Sequence, residues 1–136
     1  MGLRSRETRF ALLTAAVVLA ILFVCLYPFQ FAVRHGNTNA IGTLVGSWAR
    51  PPFATDFILN IALYVPLGAF GALSSRRSRH PWKRVGIVTI GGALLSTAIE
   101  LAQYFDAARH TAATDLYANA LGTFLGAAAV VVLSRR

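Results

Sequence analysis

Charged residues are scarce in this chain of 136 residues. Asp, Glu, Lys and Arg together make up 13% of the sequence, whereas a soluble domain contains roughly 25%. Hydrophobic residues reach 56% and the mean hydropathy is +0.58, so there is too little polar surface to cover a water-soluble particle of this size. The scarcity of charge excludes a soluble enzyme and a disordered tail, and it predicts an integral membrane protein.

Cysteine is nearly absent as well, since Cys25 is the only one in the chain. An intrachain disulfide is therefore excluded, and with it a small secreted domain held together by disulfides. The length permits one domain at most, so residues 1–136 are expected to form a single membrane domain.

Acidic residues are few compared with basic ones: 5 Asp and Glu stand against 13 Lys and Arg, which gives a net charge of +8. In a soluble chain this excess would indicate nucleic-acid binding. Here ten of the 13 basic residues fall in three short segments separated by apolar stretches. They are Arg4, Arg6, Arg9, Arg76, Arg77, Arg79, Lys83, Arg84, Arg135 and Arg136. This arrangement follows the positive-inside rule, so the expected partners are membrane lipids and not nucleic acid.

Four apolar segments are long enough to span a bilayer. They cover residues 10–27, 55–73, 85–105 and 115–133. About 20 helical residues cross the ~30 Å of hydrocarbon, so we expect an all-α bundle of four transmembrane helices. The alternation of spans places both termini and the loop between the second and third spans on the basic side. We therefore expect both termini to face the cytoplasm, an N-in/C-in arrangement.

The loop after the first span, residues 28–54, carries a helical pattern of apolar residues. Ile41, Leu44, Val45 and Trp48 recur at i, i+3, i+4 and i+7. This spacing predicts a short amphipathic helix that lies in the outer membrane interface, where tryptophan is enriched. The alternative is an irregular loop in which the spacing arises by chance.

Polar side chains inside the spans are the most informative feature of the sequence. Polar groups in a membrane are costly and usually face a bundle interior or an aqueous cleft. Seven polar residues in or beside the spans lie toward the outer side, mostly on shared helical faces, and we expect them to converge in one outward-facing pocket. They are Asp56, Asn60, Glu100, Gln103, Arg109, Asp115 and Asn119. Gly122 and Gly126 continue the face of Asp115 and Asn119 as a small-x-x-x-small packing motif.

Two of these residues, Glu100 and Asp115, are the candidate catalytic groups, because paired carboxylates can act as acid and base. The other five are candidate substrate-binding residues, and Arg109 is also the expected ion-pair partner of Glu100. A divalent cation could sit among Asp56, Glu100 and Asp115, and no other cofactor is expected.

Structural interpretations remain open for several of these residues. Thr55-Asp56 and Thr114-Asp115 have the residue types of helix N-caps. Asn60 and Asn119 could act only as hydrogen-bonding glue between helices. The shared pattern Thr-Asp-x-x-x-Asn also indicates either an internal repeat or a coincidence.

The combined pattern resembles a known family. Glu100-x2-Gln103-x5-Arg109-x5-Asp115-x3-Asn119-x2-Gly122-x3-Gly126, preceded by Asp56-x3-Asn60-x5-Pro66-x-Gly68, is similar to the VanZ-like family of small bacterial membrane proteins. The resemblance implies a multi-pass protein of the bacterial cytoplasmic (inner) membrane with a role in the cell envelope. Family members often carry an acid where this chain has Ala112, which would alter the site here.

The family takes its name from a protein linked to teicoplanin resistance, and we expect the polar pocket to bind or modify an amphiphilic molecule. A lipid-linked glycan or a glycopeptide antibiotic is the expected ligand. Three alternatives stay open at this point: a carboxylate- or metal-dependent membrane enzyme, a non-catalytic packing scaffold, and a small transporter. Four helices are few for transport, so a transporter would have to form an oligomer.

Overall fold

The computed structural model describes residues 3–33, 39–49, 53–75 and 80–134. Within these residues the fold is all-helical. The helices are α1 (Leu3–Leu26), α2 (Ala40–Gly46), α3 (Ala54–Ser74), α4 (Pro81–Gln103) and α5 (Ala113–Leu133), and a 3-10 turn at Ser47–Ala49 follows α2. Four of them, α1, α3, α4 and α5, are long and apolar enough to cross a membrane. The predicted all-α bundle with four spans is therefore confirmed.

The helices extend beyond the apolar segments at the end that carries the chain termini. α1 begins at Leu3 where Phe10 was predicted, and α4 begins at Pro81 where Val85 was predicted. The apolar pattern marks the membrane core, whereas a helix continues into the interface where Arg and Glu are good helix formers. Proline suits the first turn of a helix because its missing N–H has no helical partner there.

The two ends of the bundle have different chemistry. The polar end is where α1 and α4 end and α3 and α5 begin, and it carries the acidic and amide side chains. The basic end is the opposite one, where α4 begins with Lys83 and Arg84. The basic residues at 34–35, 50, 76–79 and 135–136 lie outside the described residues, and the N-in/C-in orientation stays a prediction.

α3 and α5 pack side by side in parallel. A Cβ atom placed on Gly122 would collide with the Ile61 carbonyl, and one on Gly126 would collide with the Val65 carbonyl. The contacting positions increase together along both helices, which shows the parallel direction. The close packing predicted from Gly122 and Gly126 is confirmed, and its partner is the backbone of α3.

The short helix predicted in the first loop is present. Asn39 is its N-cap, and the Asn39 Oδ1 accepts a 2.6 Å hydrogen bond from the Gly42 N–H. The following turn contacts the start of α5: the Ala113 N–H donates to the Ser47 Oγ at 2.8 Å. The Trp48 and Tyr117 rings meet edge to face with centroids 4.9 Å apart. α2 and its turn therefore lie across the polar end of the bundle.

Candidate functional site

Glu100 is the buried carboxylate of the polar end. It lies near the end of α4 with 2% of its surface exposed. Its Oε2 accepts a 2.8 Å hydrogen bond from the Ala112 N–H, and the Thr111 hydroxyl donates to its main-chain oxygen at 3.2 Å. The loop between α4 and α5 thus folds back over the end of α4 and holds the carboxylate at the junction of the two helices.

The prediction that Glu100 and Arg109 form an ion pair is wrong. Arg109 donates from Nε to the Tyr27 carbonyl at 2.9 Å and from Nη2 to the Val24 carbonyl at 2.8 Å. The last carbonyls of a helix lack helical partners and carry partial negative charge, so they attract a guanidinium. Arg109 therefore caps α1, and the described residues offer no cation to Glu100.

Gln103 also hydrogen-bonds to the end of α1. Its Nε2 donates to the Cys25 carbonyl at 2.8 Å, and the side chain is buried with 7% exposed. Together Gln103 and Arg109 attach the end of α1 to the α4–α5 junction. The structure therefore places these two candidate binding residues against the end of α1.

A buried hydroxyl–amide chain lies one turn below Glu100. The Asn119 Nδ2 donates to the Ser96 Oγ at 2.8 Å, and the Thr123 hydroxyl donates to the main-chain carbonyl of Asn119 at 2.8 Å. Ser96 precedes Glu100 by four residues and therefore lies on the same face of α4. The Asn119 Oδ1 is buried and has no hydrogen-bond partner within the described parts of the chain.

Tyr64 belongs to this cluster and is absent from the sequence-based set. It is fully buried, and its hydroxyl lies close to Ser96 and Glu100. No described atom meets hydrogen-bond geometry with that hydroxyl. The signal that could have found it is spacing, since Asp56, Asn60 and Tyr64 follow at i, i+4 and i+8 on one face of α3.

The cluster opens toward the surface through Asp56, Asn60 and Asp115. Asp56 is exposed, whereas Asn60 and Asp115 are half-buried. The Asn60 amide lies within hydrogen-bonding reach of the Asp115 carboxylate, and Asp56 is near enough to interact with it electrostatically. Asp115 in turn interacts electrostatically with Glu100. The polar groups therefore form a continuous path from the exposed Asp56 to the buried Glu100.

The N-cap interpretation of the two aspartates is wrong. Phe53 and Ala112 occupy the N-cap positions of α3 and α5, and neither makes a side-chain capping hydrogen bond. Asp56 and Asp115 lie inside the first turns instead, where a carboxylate is stabilised by the positive end of the helix.

Five of the seven predicted residues therefore come together: Asp56, Asn60, Glu100, Asp115 and Asn119. The roles assigned to them stay predictions. Among the residues of known placement there is no group of three or more His, Cys, Asp or Glu side chains that could hold a metal ion.

Asp106 is a further buried carboxylate outside the spans. It is fully buried, its Oδ1 accepts from the Ala108 N–H at 2.9 Å, and its Oδ2 has no partner in the described residues. Its backbone forms an isolated antiparallel bridge with Phe31. Asp106 therefore shapes the turn after α4 and joins it to the segment after α1.

The described residues define a membrane protein with four spanning helices, three of which enclose a buried polar cluster at one end. The sequence model of the VanZ/LLP1 family matches residues 5–134, and the chain belongs to that family. The resemblance noted from the motif is thereby confirmed over nearly the whole chain. No similar curated protein and no similar solved structure was found for this chain.

Proposed function

We propose that the polar cluster binds the polar head of an amphiphilic envelope component, such as a lipid-linked glycan or a glycopeptide antibiotic. One observation carries the proposal. Glu100 is 2% exposed, has no cation beside it in the described residues, and shares its surroundings with an unpartnered Tyr64 hydroxyl and an unpartnered Asn119 oxygen.

A packing scaffold would satisfy these groups internally. Buried polar atoms in folded proteins are hydrogen-bonded in the large majority of cases, because an unmade bond costs free energy. In this cluster a donor at Tyr64 and an acceptor at Asn119 remain available beside the Glu100 carboxylate. Hydroxyl groups both donate and accept hydrogen bonds, so a hydroxyl-rich head such as a sugar matches this set.

The surroundings of the cluster suit an amphiphile. Its exposed edge at Asp56 lies at the end of the spans, where a head group would sit while the attached chain stays in the bilayer. Trp48 and Tyr117 pack against each other beside the start of α5 and offer aromatic faces with 60% and 38% of their surfaces exposed. Aromatic rings of this kind favour the boundary between water and lipid.

Catalysis at the same cluster is the second candidate, and the unequal burial of the two acids favours it. Glu100 is nearly enclosed, whereas Asp115 is half-buried beside Asn60. Carboxylates in different environments can divide the roles of general acid and general base. Glu100 and Asp115 would then be the catalytic groups, acting on a head group positioned by Asn60 and Asn119.

We further propose that the polar end faces outward in the bacterial cytoplasmic (inner) membrane. The concentration of Lys and Arg at the opposite end supports this orientation through the positive-inside rule. Reporter fusions at Asn39 and at Arg79 should give opposite signals. Identical signals at the two positions would contradict both the orientation and the four-span topology.

The test of the binding proposal uses Glu100→Gln, with Glu7→Gln as the matched control at the other end of the protein. Glutamine keeps an oxygen that accepts from the Ala112 N–H but loses the charge and the exchangeable proton. We expect Glu100→Gln to retain its melting temperature in detergent, and to lose both the teicoplanin-susceptibility phenotype and the binding of teicoplanin or a lipid-linked glycan. Binding is measured through the fluorescence of Trp48.

A stable Glu100→Gln protein with full binding and full phenotype would defeat the proposal. Loss of melting temperature without any ligand effect would support the scaffold interpretation instead. Glu7→Gln should leave all three measurements unchanged, because Glu7 lies in the first turns of α1 at the basic end.

A further inference from the structure

A cavity of about 320 Å³ lies between α1, α3 and α4, in the half of the bundle nearer the basic end. Most of its wall is apolar, with Val18 from α1, Leu67 from α3, and Val88 and Leu95 from α4. It is roughly ten times the ~30 Å³ that one water occupies in the liquid. The cavity is therefore large enough for a segment of hydrocarbon chain.

Gly91 lies at the exposed edge of this cavity. A Cβ atom placed on Gly91 would meet nothing within 4 Å, although Gly91 lines the cavity. The next residue, Gly92, behaves in the opposite way, because a Cβ there would collide with the Thr123 side chain. Both glycines therefore line the cavity, but Gly92 is packed against Thr123 of α5 whereas Gly91 has free space at its Cβ position.

The cavity reaches a cationic group at the basic end. A second, smaller cavity of about 70 Å³ shares Ser75 and Val88 with the first and adds Arg84 and Ile87 to the lining. Arg84 is only 7% exposed, which is unusual for an arginine. Ser74 and Ser75 also line the larger cavity near this end. The two cavities are thus neighbours, and the smaller one adds a guanidinium to the serine hydroxyl groups beside the apolar chamber.

We propose that this composite cavity binds an anionic phospholipid. One acyl chain lies in the chamber between α1, α3 and α4, and the phosphate lies at Arg84 and Ser75. Guanidinium groups pair with phosphate through strong charge-assisted hydrogen bonds, and a serine hydroxyl can donate to the same group. Basic sites between helices on the cytoplasmic side of membrane proteins meet a leaflet rich in anionic lipids.

The size of the cavity favours a lipid chain over a second protein copy. A helix with its side chains is about 10–12 Å across, so a few of its turns need far more space than 320 Å³. The lipid site is independent of the proposed function, because it lies at the opposite end of the bundle from Glu100. Its expected effect is to hold α1 beside α4 in the half of the bundle where the cavity separates them.

The first experiment uses the full-length protein, purified in detergent and analysed by native mass spectrometry. Phosphatidylglycerol and phosphatidylcholine with identical acyl chains are added in equal amounts. We expect one phosphatidylglycerol to be retained about tenfold more strongly than phosphatidylcholine, because phosphatidylcholine carries the same phosphate but brings a cationic choline group close to Arg84. Equal retention of the two lipids would overturn the proposal, and so would a dimer that excludes lipid.

The second experiment compares two pairs of matched variants. Arg84→Gln should lose the preference for phosphatidylglycerol, whereas Lys83→Gln, at the exposed neighbouring position, should keep it. Gly91→Leu fills the cavity and should lower the retention of both lipids, whereas Gly86→Leu should not. Gly86 is also exposed on α4 with nothing near its Cβ position, and it does not line the cavity.

If Arg84→Gln and Lys83→Gln lose the preference for phosphatidylglycerol equally, the attraction is a diffuse surface effect. That result would overturn the proposal that the head group binds at Arg84. Undiminished lipid binding in a folded Gly91→Leu would overturn the chain site. If Arg84→Gln does not fold, the lipid competition and the glycine pair still decide the proposal. Glu100→Gln should retain the lipid as strongly as the unchanged protein, which separates failure here from failure of the function proposed above.

Discussion

α3 is packed in two different ways on its two sides. Toward α5 it is in backbone contact, because Gly122 and Gly126 bring that helix against the Ile61 and Val65 carbonyls. Toward α1 and α4 it leaves a chamber of about 320 Å³ lined by Leu67 and Gly71. The closed side places Asn60 beside Asp115 within the polar cluster, and the open side carries mostly apolar residues. The side of α3 that faces α5 therefore positions polar groups, whereas the side that faces α1 and α4 leaves space for lipid.

The largest expected effect is on the closed side. Gly126→Ala places a methyl group against the α3 backbone, which cannot move away without separating the helices. Overpacking of this kind costs about 1–3 kcal/mol, and we expect a loss near the upper end. Gly91→Ala is the control, because its Cβ has free space and alanine favours a helix. Unfolding in detergent measures the stability of both variants. An equal loss of stability in the two would contradict the difference in packing between the two sides of α3.

The next effect concerns the attachment of α1. Arg109→Gln removes the hydrogen bonds to the Tyr27 and Val24 carbonyls, and we expect a loss of about 2 kcal/mol with increased hydrogen exchange at the end of α1. Arg109→Lys should lose less, since it keeps a positive charge but not the forked geometry.

The same variant distinguishes capping from ion pairing. Because Arg109 does not contact Glu100, the effects of Arg109→Gln and Glu100→Gln should add in the double variant. A double variant more stable than this sum would show that the two residues form an ion pair after all.

A smaller effect is expected inside the polar cluster. Ser96→Ala leaves the buried Asn119 amide without its hydrogen-bond partner and should cost about 1.5 kcal/mol. Thr97→Ala is the control on the next position of α4, where the hydroxyl bonds only to the Ala93 carbonyl of its own helix. Thermal unfolding compares the two. A loss for Thr97→Ala as large as that for Ser96→Ala would mean that the cluster hydrogen bond has no special importance.

The smallest effect is expected in the segment that lies across the polar end, residues 39–49. Trp48→Ala removes the edge-to-face contact with Tyr117 and should cost about 1 kcal/mol. Ile41→Ala should cost less, because Ile41 is 67% exposed on the same segment. Proteolysis of residues 39–49 and thermal unfolding measure the two changes. If Ile41→Ala proves the more damaging, the segment is held by the face of α2 and not by Trp48.

The clustering of Asp56, Asn60, Glu100, Asp115 and Asn119 could be predicted because it follows from helical spacing and from the depth of each residue in its span. The partner of Arg109 could not. The sequence offered Glu100 as the nearest buried charge to Arg109. A pattern of side chains does not show that the main-chain carbonyls at the end of α1 come within reach of Arg109. Tyr64 continues the helical face of Asp56 and Asn60, but the sequence does not tell whether its hydroxyl meets other polar groups.

The amino-acid sequence by itself determined the class of protein, the four spans, the short helix in the first loop and the polar faces of α3, α4 and α5. These features depend on composition and on the 3.6-residue period, which act locally. Only the tertiary structure decided that Gln103 and Arg109 cap α1, and that Gly91 leaves a chamber while Gly92 closes a contact. Both outcomes depend on which backbone atoms of another helix come within reach, and that distance is set by the packing of the whole bundle.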